Sequence, residues 1–239
     1  GLLIRRRRSY RSITQRIATS RHFPNLIKDM VIDAPELVWA SDTTALAVRD
    51  GLGYLTLMTD MYSKRIMGYH AQRTKARSGS LETLRMGLSM REYPERQMIH
   101  HSDGGGEYFN SDYLGELVTA HVIASCTAPS SPQENSVAER INGILKEEFL
   151  ENEDTRTFDD ILKKLPEAIR IYNECRPHAS LDYMTPSQAH RCNGALRRKW
   201  KSYKKTHKKD EQNSHIGKQI HQIMNSWDRK REYQNNQIL

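Results

Sequence analysis

Apolar and polar positions change period along this chain, and the changes mark out its elements. Residues 1–35 show no clean periodicity and are broken by Pro24 and Pro35, which predicts an arm or linker. Residues 37–46 are apolar around Trp39, and YLTLMTD over 54–60 alternates apolar and polar as a strand does. Arg49-Asp50-Gly51-Leu52-Gly53 is the turn between them. A third strand is expected over 65–72, after Tyr62-Ser63-Lys64, so three consecutive strands form an antiparallel meander. The period then becomes helical, with Leu81, Leu84, Met86 and Leu88 within 79–91. Residues 98–101 read as a short buried strand, stopped by Ser102-Asp103-Gly104-Gly105-Gly106. Tyr113, Leu114, Leu117 and Val118 predict an amphipathic helix, and 121–124 a last short strand. A loop over 127–133, with Pro129 and Pro132, leads to helices over 136–150 and 157–173. The order predicts an α/β fold: a mixed sheet of three antiparallel strands plus two more, flanked by helices.

Charge is spread unevenly over this frame. The 239 residues carry 37 Lys+Arg and 29 Asp+Glu, a net charge of +8. Residues 1–28 hold eight basic side chains and no acidic one, and 196–239 hold twelve basic and four acidic. Taking these from the whole leaves 17 basic and 25 acidic residues for 29–195. An acidic centre with two basic arms points to a polyanionic partner, and to carboxylates gathered for another purpose. Tyr10, Trp200 and Tyr203 among the basic residues offer stacking surfaces to nucleic acid. The domain reading is a basic arm (1–35), a core (36–150), a helical extension (151–195) and a basic, flexible tail (196–239). No apolar run approaches the roughly 18 residues of a membrane span, so no membrane is expected. Three cysteines without CxxC spacing argue against a disulfide scaffold and for a reducing cytoplasm. Neither a P-loop nor a Ser-His-Asp pattern is found, so no nucleotide cofactor is expected.

Three carboxylates stand out. Asp42 lies mid-strand in Trp39-Ala40-Ser41-Asp42-Thr43-Thr44, where an acid is costly to bury unless paired or bound to metal. Asp103 follows directly on the fourth strand, and the glycines after it allow a close approach of backbone or ligand. If the first and fourth strands are neighbours, the two aspartates face each other at a strand end, where sheet enzymes gather catalytic groups. Glu139 admits two readings. Ser136-Val137-Ala138-Glu139 is a capping-box pattern, in which the acid only closes its own helix. At about 100° per residue, however, Val137, Ile141, Ile144 and Leu145 share one face, while Glu139, Asn142, Gly143, Lys146 and Leu150 cluster on the opposite one. Glu139 then shares a polar stripe with Lys146, and Gly143 leaves room between them. Three hard oxygen donors suit Mg²⁺ or Mn²⁺ rather than zinc. Two such ions activate the attacking oxygen and stabilise the leaving one in phosphodiester chemistry.

The spacing is also familiar. Thirty-five residues separate Asp103 from Glu139, Asp42 lies upstream, and Lys146 follows the glutamate by seven. This resembles the DDE signature of retroviral integrases and related transposases. The words VWASDTT (38–44), YLTLMTDMYSKRIMGY (54–69), HHSDGGGEY (100–108), SSPQENSVAERINGILKEE (130–148) and YNECRPHASLDYMTPSQ (172–188) are similar to the larger open-reading-frame transposase of insertion sequence family three. The resemblance implies a ribonuclease H-like core, two divalent ions, and 3′-hydroxyl attack on double-stranded DNA by a homo-oligomer in the bacterial cytosol, associated with the nucleoid. It implies that Asp42, Asp103 and Glu139 are the catalytic metal ligands and that Lys146 contacts phosphate. Asn135 would shape the loop before the catalytic helix and, like Arg176 and His178, lie at DNA. His101 and Gly105 would support the turn around the second aspartate. Two positions depart from the pattern: Glu107 stands where the family commonly has Gln, and Glu134 where it commonly has Asp. Residues 1–30, including Pro24-Asn25-Leu26, resemble the tail of the family's upstream helix-turn-helix region, most of which is not in this chain.

Other readings remain beside this one. Cys175-x2-His178 and His190-x-Cys192 could be drawn as a zinc site, but the spacing matches no common finger. Asp60 reads as a strand-end residue, Asp112 as an acid at a helix start, and His100 as a packed residue. A DNA-binding remnant unable to react, able to regulate an intact transposase, is the alternative to an enzyme, and a simple nuclease would carry a similar triad.

Overall fold

The computed structural model describes residues 23–128, 132–150 and 157–196. The first 22 residues of the expected arm and all but the first residue of the expected tail, with Tyr10, Trp200 and Tyr203, lie outside them. The strands are β1 (Val38–Val48), β2 (Gly51–Asp60), β3 (Ile66–Gln72), β4 (Met98–Ser102) and β5 (Val122–Cys126). The helices are α1 (Arg77–Ser89), α2 (Ser111–Thr119), α3 (Ser136–Ile144), α4 (Phe158–Glu174) and the short α5 (Pro186–Ala189). The sheet order is β3-β2-β1-β4-β5. β1–β2 and β2–β3 are antiparallel, while β1–β4 and β4–β5 are parallel. The expected mixed sheet is therefore present, and β1 and β4 are neighbours.

Alternation along β1 sends successive side chains to opposite faces. Trp39 packs with Met58, Met67, Leu84, Tyr113 and Leu117 beneath α1 and α2. Leu46 packs with Leu55, Leu57, Ile66 and the apolar sides of α3 and α4 on the other face. Gly68 is a contact point: a Cβ there would lie 2.2 Å from the Thr83 carbonyl of α1. β2 starts three residues earlier than alternation predicts, because the hairpin turns tightly at Arg49-Asp50 and Gly51 takes a φ of 125° that suits glycine. β5 starts one residue late, since His121 adopts a φ of 54° on leaving α2.

Two segments expected outside the core are joined to it. Leu26 and Ile27 are buried against Val38, Ile99 and Ile123. Phe23 stacks on Phe109 with ring centroids 5.3 Å apart, and the Pro24 carbonyl accepts the Cys126 amide, so the chain arrives at the C-terminal edge of β4 and β5. Phe158, Ile161, Leu165, Ile169 and Tyr172 of α4 are buried as well, behind a capping box of Thr157 and Asp160. The helix after Ser136 also departs from a uniform wheel. Residues Leu145–Leu150 form a π-helical turn, which widens the winding and brings Leu150, expected on the polar stripe, into the core.

Asp60 is no ordinary strand-end acid. It is fully buried, accepting the Glu36 amide at 2.7 Å on one oxygen and the Ser63 amide and hydroxyl on the other. Glu36, equally buried and held at a φ of 57°, accepts Arg91 Nε at 3.0 Å and the amides of Glu92 and Tyr93. His190 lies between the two acids, its Nδ1 2.9 Å from Ser63 Oγ and its Nε2 3.4 Å from Glu36. Burial pushes both carboxyls up. For Glu36 the bonds from His190, Glu92, Arg91 and Tyr93 outweigh it and leave the carboxyl below its usual range, whereas Asp60 stays above. Beside this cluster the Gly194 amide donates to the Asp33 carbonyl at 2.6 Å. Replacing Glu36 by Gln would leave Arg91 buried without its counter-charge. We expect a loss of about 3 kcal/mol in urea unfolding, the usual cost of halving a buried ion pair.

Candidate active site

The parallel register builds the site. Ser41 pairs with Ser102, so one step on, Asp42 and Asp103 leave β1 and β4 side by side, on the face that α3 covers. α3 packs there through two amides. Asn135 Nδ2 donates to the Ser41 carbonyl at 3.0 Å, and Asn142 Nδ2 donates to Asp42 Oδ2 at 2.8 Å. Asn142 is a site residue that the sequence reading placed on the polar stripe and gave no role; its position three after Glu139 was the signal. The capping-box reading of Glu139 is not realised. The residue preceding α3 is Asn135, with no side-chain cap, and Ser136 is already helical. Glu139 is exposed and makes no hydrogen bond or ion pair among the described residues. At Gly143, a Cβ would meet nothing within 4 Å, the room expected between Glu139 and Lys146.

The carboxylates act on one another. Burial raises the Asp42 carboxyl, against the bond from Asn142, and the charge of Glu107 raises it further. Burial also raises Asp103, against the Gly105 amide that donates to its Oδ1 at 3.0 Å, with Glu107 and Asp42 adding to the rise. Glu139 is raised by desolvation and then by Asp42. Gly105 lets the two side chains approach, since a Cβ there would lie 2.8 Å from both Asp103 Oδ1 and Glu107 Oε2 and push one of them aside. The carboxyls of Asp42, Asp103 and Glu139 are hard-oxygen groups, the donor chemistry that suits Mg²⁺ or Mn²⁺. In the conformations described, no three His, Cys, Asp or Glu among the described residues stand together as a metal-holding group.

The remaining expected residues fall in different places. His101 is buried in β4, with Nδ1 2.9 Å from Ser125 Oγ, and Ser125 in turn receives the Leu26 amide. Lys146 Nζ donates to the Ala45 carbonyl at 2.9 Å. Arg176 and His178, expected at DNA, are engaged within the protein. Arg176 makes a two-pronged pair with Glu148 at 2.6 Å on each oxygen, and its third nitrogen is 3.2 Å from His178. His178 is buried edge-on to Tyr172. Asn135 is 2% exposed and anchors α3 instead of facing solvent. Lys75, given no role in the sequence, lies 3.6 Å from Glu107 and acts electrostatically on both Asp42 and Asp103. Below the site, His100 Nε2 is hydrogen-bonded with Ser41 Oγ at 2.9 Å and with the Tyr113 hydroxyl at 3.0 Å, so it is a packed residue.

Burial lowers His100 to about 3 and His178 to about 4 from an ordinary 6.5. The unfolded chain therefore takes up protons first. The stability these neutral rings confer is complete above pH 6.5 and lost as pH falls toward their folded values. Thermal melts should show stability declining already between pH 6.5 and 5, while the ring signals of both residues stay unshifted in NMR.

Two stretches of the chain match the integrase core domain family, residues 33–132 and 120–186. The transposase for insertion sequence element IS904 of Lactococcus lactis is 26% identical over 172 residues, covering 71% of this chain and 68% of that protein. Transposase InsF for insertion sequence IS3A of Escherichia coli is 26% identical over 190 residues, covering 79% and 66%. Proteins of insertion sequence element IS986/IS6110 from Mycobacterium tuberculosis are 29% identical over 133 residues, 54% of this chain, and the chain spans about half of their length (48%). Among solved structures, the catalytic core domain of HTLV-2 integrase in complex with magnesium superposes with a TM-score of 0.51 at 15% identity, covering 66% of this chain and 98% of that one. A simian T-cell lymphotropic virus intasome chain gives 0.57 at 17%, covering 80% and 66%. At such identities these two show a shared fold, the integrase-core, ribonuclease H-like sheet with flanking helices.

Proposed function

Because residues 33–186 make this chain a member of the integrase core domain family, with transposases among its relatives, we propose that it catalyses metal-dependent DNA strand cleavage and 3′-hydroxyl strand transfer in transposition. The observation that carries this reading is the β1–β4 register, which sets Asp42 beside Asp103 under the helix that bears Glu139. Asp42 and Asp103 would hold the divalent ions, with Glu139 joining from α3. Bound there, two ions supply activation of the attacking oxygen and stabilisation of the leaving one.

The chain's own groups orient that site. Asn142 fixes one oxygen of Asp42 by its amide. Asn135 ties the start of α3 to the strand that carries Asp42, so Glu139 moves with β1 and not independently. Lys146 exchanges its bond to the Ala45 carbonyl for a DNA phosphate, a stronger, charged acceptor. Arg176 and His178 brace the π-helical turn through Glu148 and so act on DNA only through α3's extension. The basic residues of 1–28 and 196–239 hold duplex DNA by its phosphates, as part of a multimer on the element ends.

The test is a cleavage and joining assay with Mg²⁺ or Mn²⁺ on labelled duplexes carrying the ends of the encoding element. The parent should give cleaved and joined products. Glu139→Gln, which keeps size and loses charge, should reduce them at least a hundredfold while DNA binding is retained. Salt-sensitive binding with no products from either protein would instead identify a binding remnant. Binding itself should weaken by at least tenfold between 50 and 200 mM salt, on the order expected for several phosphate contacts.

A further inference from the structure

The charge balance of the site includes two residues with no part in the metal-ligand triad. Glu107 leaves the turn after β4, and its carboxylate converges with that of Asp103 on the space over Gly105, each 2.8 Å from the position of an added Cβ. Its side chain is only 17% exposed, so its charge is poorly screened by water. Lys75 comes from the turn between β3 and α1, with Nζ 3.6 Å from Glu107 Oε1. Its own side chain is 53% exposed, which leaves it free to move away when the charge it faces is neutralised. Both residues act on the same two targets in opposite directions. Glu107 brings negative and Lys75 positive charge to bear on Asp42 and Asp103. Glu107 therefore adds to the negative charge that a divalent ion would meet, and Lys75 is the cation already held there.

We propose that Glu107 and Lys75 are positioning residues that set the divalent-ion concentration at which the catalytic site fills: Glu107 draws the ion in, and Lys75 competes with it as a resident counter-charge. The inference rests on the reading of Asp42 and Asp103 as metal ligands. The pair is long, at 3.6 Å, and half-exposed on the Lys75 side, so Lys75 is displaced at little cost. Once displaced, its ammonium remains beside the site, where an incoming phosphodiester would meet it. Lys75 thus offsets part of the mutual repulsion of the ion-free carboxylates without closing the site to metal.

The experiment measures Mn²⁺ binding directly, from the electron paramagnetic resonance of free Mn²⁺, with the full chain at fixed ionic strength and without DNA. Glu107→Gln should weaken binding and Lys75→Gln should tighten it. Each shift should be roughly fivefold, as expected for a unit charge acting on a divalent ion several ångströms away through water and salt. Lys75→Arg, which keeps the charge, should restore the parent value. The double variant Glu107→Gln, Lys75→Gln should return close to it. Opposed shifts reversed by Arg cannot come from a merely structural role, which would move both variants in one direction along with their melting temperatures. Asp42→Asn separates the two levels of the inference. If it abolishes binding while the Glu107 and Lys75 variants bind as the parent does, or both shift the same way, the proposal falls and the metal-site reading stands. If Asp42→Asn binds Mn²⁺ as the parent does, the metal-site reading falls and takes the proposal with it.

Discussion

The parallel pairing of β1 with β4 is the constraint on which the rest of the molecule turns. Strands 60 residues apart in the chain meet in one register, Ser41 against Ser102, and a single step beyond it two aspartates must share a corner. A slip of one residue would send one of them to the opposite face, into the Trp39 core. The register is held on that opposite face by Ser41, His100 and Tyr113, whose hydrogen bonds lie directly behind the acids. It is held on the near face by the two asparagines of the α3 segment. Packing and chemistry are therefore not separable here. The residues that fix the sheet are neighbours of the residues that would react.

How much of this could be read from the chain depended on distance along it. Asp42 and Asp103 were legible because each interrupts or ends an apolar strand, and the supposition that their strands are adjacent is met by the sheet order. The order of elements was legible because its periods are strong and its turns are short. Glu139 was ambiguous on local pattern, and only tertiary geometry, with Asn135 turned inward to Ser41, removes the capping-box reading. Leu150 was misplaced because a wheel of constant pitch has no place for a π-helical turn. The buried cluster was invisible for a different reason. Glu36, Asp60 and His190 come from three parts of the chain, and nothing local to any of them signals that they converge. Arg176 and Glu148 pose the same problem at 28 residues' separation.

Two groups of acids within residues 29–195 are treated in opposite ways. At the far end of β2, Glu36 and Asp60 are surrounded by donors and shielded from water, and they join the segment before β1 to the one after α5. Past the C-terminal end of β4, Asp103 and Glu107 converge over Gly105, and the charges of Asp42 and Glu107 raise their acidic neighbours. The first arrangement satisfies its charges and gives rigidity. The second keeps like charges close together, which is a cost in the free protein and, in the proposed function, an attraction for a cation.

The stacking of Phe23 on Phe109 settles where a quite different charge is attached. The segment that carries seven arginines before Phe23 in sequence joins the described structure at the same edge of the sheet from which Asp103 emerges. Covalent attachment fixes their local concentration at that edge whatever the dilution of the protein. In the proposed function, salt weakens their pull on DNA, but dilution does not part them from the core to which they are joined.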